Sequence, residues 1–119
     1  MMLIATSVSA NILNAPTTYK RATVEEIKPI EMTPELQLIA KCESSMRQFN
    51  EDGSVLRGIV NPKDVGILQI NEDYHLATSQ SLGYDIYTLE GNVAYGKWLI
   101  ERQGYKPWIH SNPCHRLLG

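Results

Sequence analysis

Glu43 is the side chain of this sequence best placed to do chemistry. It lies in a helix-forming stretch, Thr33 to Met46, where Leu36, Ile39, Ala40 and Glu43 fall at i, i+3, i+4 and i+7, with Met46 about one turn further on. One apolar stripe therefore carries a carboxyl group near its C-terminal end. A carboxyl among apolar side chains either meets a basic partner or keeps its proton. A neutral carboxylic acid is what protonation of a leaving group requires. The plainer alternatives are a carboxylate paired at a core edge, or a stripe that runs out to solvent at that point.

Other polar residues offer weaker chemistry. Acid–base chemistry that uses two carboxylates needs a second acid at a defined distance, and Asp52, Asp64 and Asp73 follow the Glu43 helix. Each has an ordinary role as well: Asp52 in a turn, Asp64 after Pro62, Asp73 in the first turn of a helix, where its charge suits the dipole. The absence of one outstanding acid favours a single-acid mechanism. Asn71 reads equally as a helix cap or a ligand, and Tyr95 and Trp98 as core aromatics or stacking surfaces. A calcium loop around Gly53 fails, because Gln48 and Ile59 would occupy its first and last ligand positions. His110, Cys114 and His115 lack a fourth ligand for zinc, and nothing orients a histidine toward Cys42 as a nucleophile. No metal or cofactor is expected.

The elements that must position these groups follow from caps and breakers. Thr33 caps the first helix and Pro34 suits its first position. Asn50 to Ser54 reads as a turn, with Gly53 supplying a positive φ. Val55 to Val60 and Val65 to Ile70 read as short extended pieces around a turn at Asn61 to Asp64. Asn71 caps a helix that begins at Glu72 and stops at Leu82-Gly83. Thr88 caps another from Leu89 to Gln103, ended by Gly104; on it Leu89, Val93, Gly96 and Ile100 share a face, with Gly96 admitting a neighbouring backbone. Tyr105 to Gly119 reads as an irregular tail pinned by burial of Trp108. The expected class is α+β, predominantly helical, with a small β element.

The chain has 119 residues, 43% hydrophobic and 20% charged, with a formal net charge of -2. That is enough for one domain with a real core, and it gives no electrostatic footprint for nucleic acid. No apolar run approaches the length of a membrane span. Met1 to Ala10 reads like the end of a signal peptide, with Val8-Ser9-Ala10 as a small-residue cleavage site and no basic segment before it. Residues 1-31 are thus assigned to a leader remnant and linker, and 32-119 to the domain. Export would make Cys42 and Cys114 an obvious pair, whose bond would contribute roughly 4 kcal/mol on the chain-entropy model.

Cys42-Glu43-Ser44, followed about two dozen residues later by Gly66-Ile67-Leu68-Gln69-Ile70-Asn71, resembles the lysozyme-like lytic transglycosylases of the soluble type. These carry Glu-Ser at the end of a helix and Gly-Leu-Met-Gln in a β region. The segment Asn92 to Leu99 resembles the family's later Asn-Ile…Gly…Tyr-Leu helix, and the likeness runs from about Thr33 to His115. The family's Ala-Tyr-Asn-x-Gly motif is not found, since Ala94-Tyr95-Gly96 lies within the Asn92 helix and lacks the Asn. The resemblance implies a lysozyme-like fold and cleavage of the β-1,4 bond between the two amino sugars of peptidoglycan. Glu43 would be the acid and then the base, leaving a 1,6-anhydro-muramyl end. Ser44 would hold the sugar or the Glu, Gln69 would bind substrate, and Asn71, Tyr95 and Trp108 are the further substrate-binding candidates. A secreted, periplasmic or envelope-bound monomer acting on glycan strands is implied. The alternatives are a hydrolytic muramidase on the same fold and a lysozyme-like module that binds glycan without cutting it.

Overall fold

A computed structural model of the chain describes residues 30–109. The expected leader and most of the linker, and the tail with His110, Cys114 and His115, lie outside the described residues. The first helix, α1, is Pro34–Ser44. The Thr33 side chain accepts from the Leu36 N–H at 3.2 Å, and Leu36, Ile39 and Ala40 are fully buried. The stripe stops sooner than expected. Ser45 (φ 56°) and Met46 (φ 67°) are both left-handed, and their N–H groups return to the carbonyls of Lys41 and Ala40 at 3.2 and 3.1 Å, the Schellman closure. Met46 thereby leaves the apolar face and is 42% exposed, while Glu43 stands in the last turn.

The β element is smaller and differently placed than the sequence suggests. Strands β1, Asp64–Val65, and β2, Ile70–Asn71, pair antiparallel with Asp64 opposite Asn71 and Val65 opposite Ile70. The run Val65 to Ile70 is not one extended piece: the chain reverses at Gly66–Gln69, because Gly66 (φ 76°) and Gln69 (φ 52°) are both left-handed. Single bridges join Phe49 to Val55 and Arg57 to Val65, extending the small sheet irregularly. The Asn50–Ser54 turn forms with Gly53 at φ 89°.

The remaining helices start where their caps stand. The Asn71 side chain accepts from the N–H groups of Asp73 and Tyr74 and opens α2, Glu72–Ser81. Thr88 accepts from the Gly91 N–H and opens α3, Leu89–Gln103, which Gly104 closes. The expected irregular tail begins instead with a single helical turn, α4, Lys106–Ile109.

Buried residues of α1 meet Ile67, Leu68 and Ile70 from the hairpin, Val93, Tyr95 and Leu99 from α3, and Ile86 and Trp108. Gly96 allows a close approach, but the neighbour is a side chain rather than a backbone: a Cβ there would stand 2.2 Å from Leu68 Cδ1. About half of the described residues are helical, and the only sheet among them is this two-stranded antiparallel one. No helix among the described residues is long and apolar enough to cross a membrane.

Candidate functional site

The end of α1, the strap from Leu56 to Asn61 and the hairpin enclose a cleft with two lobes. The larger lobe has a volume of about 520 Å³ and is lined by Glu43, Ser44, Arg47, Ile59, Val60 and Asp64, among others. The smaller, about 90 Å³, is lined by Asn71, His75, Pro107 and Trp108. Glu43, Asp64 and Gln69 line both. Of the three aspartates weighed as second acids, Asp64 alone reaches the cleft. It is half-buried, and its Oδ1 accepts from the Asn71 amide at 3.0 Å. Asn71 therefore caps α2 with its oxygen and orients Asp64 with its nitrogen.

What holds Gln69 in the cleft is the grip on the turn before it. The Gly66 N–H donates to the Leu56 carbonyl at 2.8 Å. The Ile67 N–H donates to Gln48 Oε1 at 2.8 Å and the Leu68 N–H to Asn92 Oδ1 at 3.0 Å. The Leu68 carbonyl accepts from the Trp108 indole at 2.8 Å. Gln48 and Asn92 use their remaining hydrogens on the carbonyls of Ile86 and, for Asn92, Val65. A side chain in the left-handed region costs energy that its surroundings must offset, and these bonds hold Gln69 there. Its own amide donates to the Gly66 carbonyl at 2.9 Å.

Ser44 links the two halves of the motif. It is 5% exposed, and its hydroxyl lies 2.8 Å from the Ile67 carbonyl and 3.0 Å from that of Ala40. Its oxygen also accepts from the Arg47 N–H at 3.1 Å. The hydroxyl is thus committed to backbone and ties the turn bearing Glu43 to the turn bearing Gln69. Ser44→Ala leaves the Ile67 carbonyl without this buried donor. We expect a loss of about 1–2 kcal/mol in urea unfolding.

Tyr95 is not a surface for a sugar. It is 1% exposed, packed against Trp98 at 5.5 Å between ring centroids, and its hydroxyl lies 2.8 Å from His75 Nδ1. Trp98 in turn carries the Arg102 guanidinium 5.1 Å from its ring centre. Trp108 does line the smaller lobe, yet it is 2% exposed, so it supports the wall rather than offering an open face. Cys42, beside Glu43, is disulfide-bonded; Cys114 lies outside the described residues.

Several residues of the site escape sequence reasoning. Arg47, Gln48 and His75 lie on no periodic pattern. Asn92 had a signal: it falls three residues after Leu89, on the apolar side of α3, where a polar residue must find partners inside. Burial holds the His75 imidazole below its ordinary value. The unfolded chain takes up that proton as pH falls through about 6.5, and the folded chain only lower, so stability falls with pH across that interval. Thermal midpoints measured from pH 7.5 down to 5 should drop more steeply for the wild type than for His75→Gln.

The strap is fixed from outside the cleft. Arg57 Nη1 lies 2.9 Å from Glu72 Oε2, and the Tyr87 hydroxyl donates to Glu72 Oε1 at 2.6 Å. The Arg57 and Tyr87 hydrogen bonds hold the Glu72 carboxyl below the usual carboxylate range. Among the described residues no group of three or more His, Cys, Asp or Glu side chains could hold a metal ion. No family model matches the chain, and neither a curated protein nor a solved structure matches it.

Proposed function

We propose that the cleft binds a glycan strand of peptidoglycan and that Glu43 cleaves the β-1,4 bond between muramyl and glucosaminyl residues as a lytic transglycosylase. One observation carries the reading. Glu43 and Gln69, from the Glu-Ser and Gly-x-x-Gln segments that resemble the family, line both lobes of one cleft. Glu43 gives its proton to the glycosidic oxygen as the bond to C1 breaks. The resulting carboxylate accepts the proton of the muramyl 6-hydroxyl, whose oxygen closes onto C1. The acid is restored, the ring leaves as a 1,6-anhydro sugar, and no water or cofactor is consumed. The Gln69 amide nitrogen is held by Gly66, which leaves its oxygen to accept an acetamido N–H of the strand.

Asp64 favours a second reading. A carboxylate in both lobes beside Glu43, oriented by Asn71, could instead direct water at C1, which makes the enzyme a hydrolytic muramidase on the same lysozyme-like scaffold. Mass spectrometry of muropeptides released from purified peptidoglycan decides. Anhydro ends mean transglycosylation, and reducing ends mean hydrolysis. Strand binding with no product of either kind would overturn the enzyme reading and leave a glycan-binding module. The chain acts at the cell envelope or outside the cell on either enzymatic reading.

A further inference from the structure

The two lobes differ in charge, and the difference gives the cleft a direction. Both share the acids Glu43 and Asp64. Among the described residues the smaller lobe adds no lysine or arginine; its further titratable side chain there is His75, whose imidazole burial holds below its ordinary value. The larger lobe adds Arg47 and Arg57. Arg57 is committed to Glu72 at 2.9 Å and to the Pro62 carbonyl at 3.0 Å. Arg47 is exposed, and among the described residues it forms no ion pair. Its backbone N–H bonds the Ser44 hydroxyl at 3.1 Å and its Nε the Ser44 carbonyl at 3.3 Å, so its stem is fixed next to Glu43 while the outer guanidinium nitrogens remain available to a ligand. On the same lobe Ile59 and Val60 stand 100% and 98% exposed. A lobe that, among the described residues, offers one available cation and a bare apolar pair suits an anion that carries alkyl groups.

A peptidoglycan strand has such a group on every second sugar only. The O3 branch of the muramyl residue carries a methyl group and an acid, either the lactyl carboxylate itself or the carboxylates of a stem peptide attached to it, whereas the glucosaminyl residue is neutral. We propose that Arg47 binds a carboxylate of the muramyl O3 branch in the larger lobe and so sets the direction in which the strand lies across Glu43, with the neutral sugar in the smaller lobe. This rests on the glycan reading of the cleft. Arg47 is a specificity residue here. It touches the branch, not the reacting atoms, so its loss should appear in KM more than in kcat.

The test compares the full chain with Arg47→Ala and Arg47→Lys on three ligands. These are peptidoglycan strands with stem peptides, strands stripped of peptide by an amidase so that the lactyl acid is free, and neutral chitin oligosaccharides, whose binding is measured by titration calorimetry. Arg47→Ala should lower kcat/KM on the acid-bearing strands about tenfold, a loss typical of a charge-assisted hydrogen bond, mainly through KM. Arg47→Lys should keep part of the effect, and affinity for the neutral oligosaccharide should stay the same, which also shows that the variant is folded. A loss confined to stem-bearing strands assigns the stem carboxylates, and one confined to stripped strands assigns the lactyl acid. An equal loss on the neutral oligosaccharide, or none on either acidic strand, would overturn the proposal while leaving Glu43 and the cleavage reaction untouched. A wild type that neither cleaves nor binds either strand removes the glycan reading, and this proposal with it; where strands bind uncut, the same tenfold loss is read in their Kd.

Discussion

Glu43→Gln should lower turnover of peptidoglycan by about 10²–10⁴-fold, the range over which a positioned acid or base contributes, while strands still bind. The replacement is nearly isosteric, and Glu43 is half-buried in the last turn of α1, so the helix and its Schellman closure should persist. The amide cannot deliver a proton to the glycosidic oxygen, nor take one from the 6-hydroxyl. Both halves of the reaction therefore fail together. The partner experiment is Asp64→Asn. If Glu43 acts alone, Asp64 contributes orientation through its bond with Asn71, and its loss should cost a few-fold. If the protein is a hydrolase that uses Asp64 on water, the loss should approach that of Glu43→Gln. The ratio of the two variants, measured by muropeptide release, separates the mechanisms independently of product identity. Full activity in Glu43→Gln would remove the proposed reaction.

Much of this architecture was legible where local chemistry is strong. Thr33, Asn71 and Thr88 cap the helices they were expected to cap, because a side-chain oxygen before an apolar period satisfies N–H groups that nothing else nearby can. Gly53 and Gly104 mark the turn and the helix end expected of them. The misreadings share one cause. Val65 to Ile70 looks extended because its residues are β-branched or apolar, but the chain turns there under tertiary bonds from Gln48, Asn92 and Trp108, which come from 19 to 40 positions away in the sequence. Met46 fits the helical period yet lies past the left-handed Ser45, and serine gives no warning of that conformation as glycine would. Tyr95 was a candidate for stacking on sugar because an aromatic ring suits both roles; its place on the buried face of α3 decides for the core. In the cleft, the Glu-Ser and Gly-x-x-Gln spacing led to Glu43 and Gln69. The assembly around them, from Arg47 to His75, has no sequence period to reveal it.

Gly66→Ala should be strongly destabilising, since the position combines two separate costs. At φ 76° any side chain meets the left-handed penalty, about 1–2 kcal/mol. A Cβ there would also stand 2.5 Å from the Asn92 amide nitrogen and 2.6 and 2.7 Å from the amide atoms of Gln48, closer than real contacts allow. Those are the side chains that satisfy the N–H groups of Ile67 and Leu68. Displacing them exposes buried donors to the cost of lost partners, about 1–3 kcal/mol each in such settings. The expected total is about 3–8 kcal/mol, large against a typical domain stability of about 5–15 kcal/mol. Gly53→Ala isolates the first cost. It has φ 89° with nothing within 4 Å of the new Cβ, so it should lose only about 1 kcal/mol. Urea unfolding of both variants measures the difference, and a Gly66→Ala loss no greater than that of Gly53→Ala would mean that Gln48 and Asn92 do not grip the turn. Where the variant still folds at low temperature, the shifted turn carries Gln69 away from Glu43. Strand cleavage should then fall further than the folded fraction alone explains, because the bonds that stabilise the hairpin also place the residue proposed to hold the strand beside Glu43.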